Sequence, residues 1–179
     1  MPQVATGVLA CVADRLAILV ADCATFRTVV GAANRTEALA KIHIPLALDD
    51  GSHPMPRAII NPESGSLNRQ KTGIGFFEIN GRLPLSLEFE IPSSILTGVL
   101  EKDIERESEV WMANQCGLIM EEMGVLAGTG VGAPGETHLN VIDFEDVDGP
   151  VAYAEEEIPQ DSPGQNLFQW LFTVMVQFQ

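Results

Sequence analysis

The stretch QNLFQWLFTVMVQFQ, residues 165–179, constrains the fold more than any other part of the chain. Phe168, Trp170, Phe172, Val174, Val176 and Phe178 fall on even positions, while Gln169, Thr173, Gln177 and Gln179 fall on odd ones. Successive side chains of a strand point to opposite faces, so this spacing predicts a strand with one unbroken aromatic and β-branched face. Leu167, Leu171 and Met175 share the other face with glutamine and threonine, which leaves it half covered. A membrane-spanning helix needs about 20 apolar residues in succession, and the glutamines exclude one. The stretch reads as an inner strand. An ordinary core strand and a strand that bridges to a neighbouring subunit both satisfy the pattern.

A sheet with one apolar face needs a cover, and two segments have the period for it. Val4, Val8, Val12, Leu16, Leu19, Cys23 and Phe26 recur at threes and fours, which predicts mainly amphipathic helix from residue 3 to about 29. A shorter helix restarts at Asn34, a good N-cap, with Glu37 placed to reach back in a capping box, and Pro45 stops it. From about residue 94 to 127, Ile104, Met112, Cys116, Ile119, Met123 and Leu126 form a second helical stripe, bordered by Trp111 and Leu118, with Gly128 at its end.

Between these helices, residues 48–73 are rich in Asp, Gly, Pro, Ser and Asn, and predict a long connection holding one short strand at Ala58–Ile60. In GIGFFEINGRLPLSLEFEIP, Asn80-Gly81 has the chemistry of a two-residue hairpin turn, and Leu83, Leu85, Leu87, Phe89 and Ile91 alternate after it. A tight turn there would set Phe76 against Leu85 and Ile74 against Leu87. Pro84 cannot donate to a ladder, so its amide side is expected to face outward or a bulge. Further on, HLNVIDF is a strand, Asp148-Gly149 a turn, and PVAYAEE another strand. The order of elements predicts one α+β domain over residues 1–179. It has a mostly antiparallel sheet of about five to seven strands, an N-terminal helical segment and one long helix packed on it.

Composition narrows the function. Twenty-five acids against ten bases give a net charge of −15, which repels nucleic acid and argues against a sequence-reading DNA binder. Cys11, Cys23 and Cys116 have no metal spacing, and an odd count argues against a secreted disulfide scaffold. The start lacks a basic n-region, so cytoplasmic synthesis without secretion is expected, and the Asn34–Thr36 acceptor triplet carries no weight. His43, His53 and His138 sit beside no nucleophile motif, and no serine lies in a G-x-S-x-G elbow. GTGVGAPG follows a helix and leads to a strand, the reverse of a dinucleotide loop, so it reads as a helix cap and loop. DFEDVDG lacks the glutamate that completes a calcium loop. No catalytic, cofactor-binding or metal residue is assigned, and no enzyme activity is expected.

Taken in order, LAILVADCATFRTVVGAANRTEALAKIH, FEINGRLPLSLEFEIP, GLIMEEMGVLAG, LNVIDF…GP and QWLFTVMVQF resemble the layout of the tail-terminator and tail-completion (neck) proteins of tailed bacteriophages. The resemblance spans nearly the whole chain and rests on the order of its parts. It implies a structural virion protein, assembled in the host cytoplasm, that forms a homo-oligomeric ring with sixfold symmetry. Such a ring caps the tail tube protein, meets neck or connector proteins on its other side, and passes DNA through its lumen without reading it or touching a membrane. The polar run Asn61–Gly73, with Asn61, Glu63, Asn68, Arg69, Gln70 and Lys71, is then the candidate contact with other virion proteins, its plain alternative being a surface loop. Glu155, Glu156 and Glu157 become candidate lumen acids, where like charge keeps a DNA backbone off the wall. A head-completion or minor tail protein is a neighbouring reading. From other classes, an acidic cytoplasmic adaptor and a small-molecule-binding protein remain open.

Overall fold

The structure, a computed structural model, describes residues 8–45, 55–61, 65–71, 77–129, 139–152 and 167–178. The N-terminal stripe folds as two helices, α1 (Val8–Asp22) and α2 (Ala24–Val29), separated at Cys23, whose backbone is extended. Val12, Leu16, Leu19, Cys23 and Phe26 are all buried, so the apolar face continues across the break. Cys23 gives α2 no side-chain cap, and a carboxylate from elsewhere supplies one: Glu122 accepts the Thr25 N–H at 3.0 Å and the Thr25 hydroxyl at 2.6 Å. α2 ends in a Schellman motif: Gly31 has φ +68°, the Ala32 N–H reaches Arg27 O at 2.8 Å, and the Gly31 N–H reaches Thr28 O at 3.3 Å.

The helix expected at Asn34 is α3 (Arg35–Leu39). The Asn34 side chain accepts the Glu37 N–H at 3.0 Å, and Glu37 reaches back one residue further than a capping box requires, to the Ala33 N–H at 2.9 Å. Asp22 at the end of α1 holds Arg35 in a two-bond fork at 2.5 and 2.6 Å. The segment predicted as one helix from 94 to 127 divides into α4 (Ser93–Leu96), a 3₁₀ turn (Glu101–Asp103) and α5 (Ile104–Thr129). Its stripe holds, with Met112, Cys116, Ile119 and Met123 fully buried.

Among the described residues, six strands form one mixed sheet: β1 (Ile42–His43), β2 (Arg57–Ile60), β3 (Ser66–Lys71), β4 (Phe77–Glu90), β5 (Leu139–Ala152) and β6 (Leu167–Phe178). The order runs β1-β2-β4-β6-β5, with β3 also on β4. Only β1 and β2 pair parallel, so the expected α+β class with a mostly antiparallel sheet is observed. β6 lies between β4 and β5, an inner strand as its two-faced pattern requires. Phe168, Phe172, Val174 and Val176 enter the core with Leu83, Leu85, Leu87 and Phe89 of β4, and α1, α2 and α5 close over them.

Three expectations are corrected. Asn80-Gly81 makes no hairpin turn; both residues lie inside β4, paired with Asn68 and Leu67 on one side and with Gln177 and Val176 on the other. Leu85 therefore faces Ile60 and Phe172, and Leu87 faces Ala58 and Trp170, while Ile74 and Phe76 lie outside the described residues. The long connection at 48–73 contains two strands, β2 and β3, both on the same side of β4. If the β2 register ran on, Ser66 would face Ile79; it faces Arg82 instead, so the chain carries three extra residues between the two strands. Pro84 lies where the two registers change over, and its carbonyl accepts the Asn61 N–H at 3.0 Å. Finally, Asp148-Gly149 is not a turn between strands, because β5 runs through it with register shifts on either side.

Candidate functional site

One face of the sheet faces the helices; among the described residues, the other contributes nothing to the core cluster. Residues opposite each other in a ladder share a face, so the second face follows from the register. From β4 it takes Asn80, Arg82, Pro84, Ser86 and Glu88, and from β6 Gln169, Leu171, Thr173, Met175 and Gln177. β5 adds Asn140, Asp143, Glu145 and Asp148, and β2 adds Arg57 and Ile59. The face is four strands wide and made largely of amides, hydroxyls and charges.

The two arginines of this face are each tied to a carboxylate. Arg57 Nε donates to Glu88 at 2.5 Å, and Glu88 is 2% exposed despite its position on this face. A carboxylate removed from water needs such a partner, because an unpaired one costs several kcal/mol, on the order of 3–5 when a buried pair is broken. Beside it, Gln169 Nε2 donates to Ser86 Oγ at 2.9 Å, joining β6 to β4. Arg82 pairs with Glu145, which ties β4 to β5 across β6, and the Thr173 hydroxyl lies 3.4 Å from Asp146. At one end, Asn68, Asn80, Gln177 and Asn140 fall in a single row across four strands. The Asn80 side-chain oxygen is buried there with no hydrogen-bond partner among the described residues.

Among the described residues, the same rows keep a histidine and an acid apart from Ser86. His43, Ile59, Ser86, Leu171 and Asp148 occupy one row of the sheet. Ile59 and Leu171 intervene, and two strand spacings put His43 and Asp148 each about 10 Å from Ser86, beyond hydrogen-bond reach. Cys23 and Cys116 are free, buried thiols. Burial pushes both above the ordinary thiol range, with the Glu122 and Asp22 carboxylates adding to the effect at Cys23. They behave as small hydrophobes rather than nucleophiles, as their positions on the helical stripes suggest. Among the described residues no group of His, Cys, Asp and Glu is arranged to hold a metal ion, and no helix is long and apolar enough to cross a membrane.

A second surface lies on the helices. Val110, Leu118 and Val125 are 47%, 46% and 61% exposed on α5, and their spacing of eight and seven residues sets them on the side opposite Met112, Cys116, Ile119 and Met123. Gly117 and Gly124 stand beside them with open space where a Cβ would be.

The residues singled out from sequence fall in three groups. Asn61 directly follows β2 and bonds Pro84 through its backbone. Asn68, Arg69, Gln70 and Lys71 are ladder positions of β3, opposite Asn80, Ile79, Glu78 and Phe77, rather than residues of a loop. Glu63 and Glu155–Glu157 lie outside the described residues. The Arg57–Glu88 pair and the amide row escaped the sequence reading. Alternation of Glu88 and Ser86 with leucines was a visible signal for the face, but only the β2 register brings Arg57 opposite Glu88. Compared with known protein families, the chain matches none, and no curated protein matches it.

Proposed function

We propose that the chain is a structural subunit of a phage neck. Six copies form a ring that caps the tail tube and joins it to the head-proximal connector, and DNA passes through the centre. The observation that carries this reading is the polar sheet face, whose two arginines, Arg57 and Arg82, are each engaged by a carboxylate of the same face. A polyanion sliding past such a wall meets amides, hydroxyls and exposed acids such as Asp143 and Asp148, and no strong grip. The net charge of −15 has the same consequence. The exposed apolar side of α5, with Val110, Leu118 and Val125, is suited to contact between copies. In this reading the protein carries out no chemistry.

The test is absolute mass by light scattering over a wide concentration range, with negative-stain images of the same samples, repeated for Leu118→Glu. The expected outcome is a hexamer with an open centre whose mass falls in the variant while its unfolding midpoint stays unchanged. A protein that is monomeric at every concentration and does not join purified tail ends overturns the proposal.

A further inference from the structure

The two outer strands that flank the β4–β6 pair differ in what they offer a neighbour. β5 carries three register shifts and the acids Asp143, Glu145, Asp146 and Asp148, devices that keep an edge from pairing. β3 pairs with β4 over six consecutive positions with no shift. The register also fixes which of its backbone groups face outward. The Asn61 N–H donates to Pro84 O, so the even-numbered residues of β4 turn their backbone groups toward the β2–β3 side. The β4–β6 ladder runs from Ile79 to Glu90 without a shift, so that alternation holds along β4. Opposed residues of an antiparallel pair turn toward each other or away together. Ser66, Asn68 and Gln70 thus bond Arg82, Asn80 and Glu78, while Leu67, Arg69 and Lys71 direct their N–H and C=O groups away from β4. Among the described residues, no strand pairs with that side.

The sequence of β3, SLNRQK, has two bases and no acid in a chain of net charge −15. We propose that the outer edge of β3 receives an extended acidic segment of another protein as an added strand. Main-chain bonds at Leu67, Arg69 and Lys71 supply the affinity, and a strand with two bases and no acid in its sequence favours an acidic segment over a basic one. Like charge opposes pairing of β3 with β3 of a second copy, and the shifts in β5 deny the regular bond spacing that a β3–β5 contact needs. The proposal rests on the reading above in that it gives the β3 segment its partner within the assembled particle.

The probe is an acetylated and amidated peptide, Thr-Glu-Val-Glu-Val-Glu-Thr, with its Lys-for-Glu counterpart as control, added at millimolar concentration to the full chain. Hydrogen–deuterium exchange with mass analysis reads residues 66–71. Exchange there is expected to slow about tenfold with the acidic peptide and not with the basic one. Arg69→Ala, which removes the charged side chain and keeps the N–H, weakens the protection. Arg69→Pro removes an outward N–H without taking a bond from the β4 ladder, and abolishes it. Unchanged exchange in the wild-type chain, or equal protection by both peptides, overturns the proposal. Loss of ring mass in Arg69→Pro also overturns it, because a second copy then occupies the edge. A ring that forms normally with no peptide protection sinks this inference and leaves the neck reading standing; protection in a chain that never forms rings does the reverse.

Discussion

β6 has two neighbours, and it pairs with them in opposite ways. Against β4 it forms twelve consecutive pairs, Ile79–Phe178 through Glu90–Leu167, with no irregularity. Against β5 the register slips three times, between Val141 and Asp143, Glu145 and Asp148, and Asp148 and Val151. The difference follows from what each ladder must hold. On the β4 side Leu83, Leu85, Leu87 and Phe89 enter the core with Phe168, Phe172, Val174 and Val176 of β6, and a slip of one residue would turn all of them to the polar face. On the β5 side the extra residues bulge outward. Ile142 and Val147 are 52% and 48% exposed, and Asp146 and Gly149 take positive φ angles that a regular strand excludes. Core packing therefore enforces regularity along β4–β6, and its relaxation at the margin lets β5 bend.

Substitutions can break or sharpen this contrast, and their expected sizes differ. The largest effect belongs to Phe172→Ala: the ring is fully buried opposite Leu85 and packs edge-on to Phe144 at 5.7 Å. Chemical denaturation should show a loss of about 3–5 kcal/mol, whereas Ile142→Ala, in a bulge, should stay within about 0.5 kcal/mol. Comparable losses at the two sites would mean that the bulged ladder is as tightly packed as the regular one. An intermediate effect is expected at Gly149→Ala. With φ +134°, a Cβ there would lie 3.1 Å from Gln169 O and 3.2 Å from Trp170 Cα, both backbone atoms of the inner strand. The cost should be about 1–3 kcal/mol, with an altered Trp fluorescence spectrum of the folded state; a neutral result would show that β5 yields at this bulge without disturbing β6. The smallest effect belongs to Arg82→Ala, which removes the tie from β4 to Glu145 across β6. Both partners are substantially exposed, so the loss should be below about 1 kcal/mol and should shrink further in high salt. A larger, salt-insensitive loss would assign that pair a part in holding β5 to the sheet.

Legibility followed the same division. The faces of β6 and of the helical stripes were readable because their periods, two and 3.6, are carried by the chain itself. Strand pairing was not. Asn80-Gly81 carries a strong local turn signal, yet it is held extended because β3 and β6 bond to either side of it, and those partners are distant in sequence. Asp148-Gly149 was misread for a related reason, since the residues that make tight turns are also those that tolerate the positive φ of a bulge. The candidate contact segment is polar and basic by composition, but its form as a strand depends on ladder bonds to β4 that no local pattern encodes.

By itself, then, the sequence determined the apolar faces of β6 and of the helical stripes, the α+β class, the inner position of β6 and the acidic character of the whole. Each of these is set by hydrophobicity at a local period or by a sum over composition. The tertiary structure decided the order β1-β2-β4-β6-β5, the sharing of one β4 edge by β2 and β3, the Arg57–Glu88 pair and the unequal edges. Those depend on which backbone donors meet which acceptors across long loops, a choice made by the packing of the assembled core rather than by any neighbouring residue.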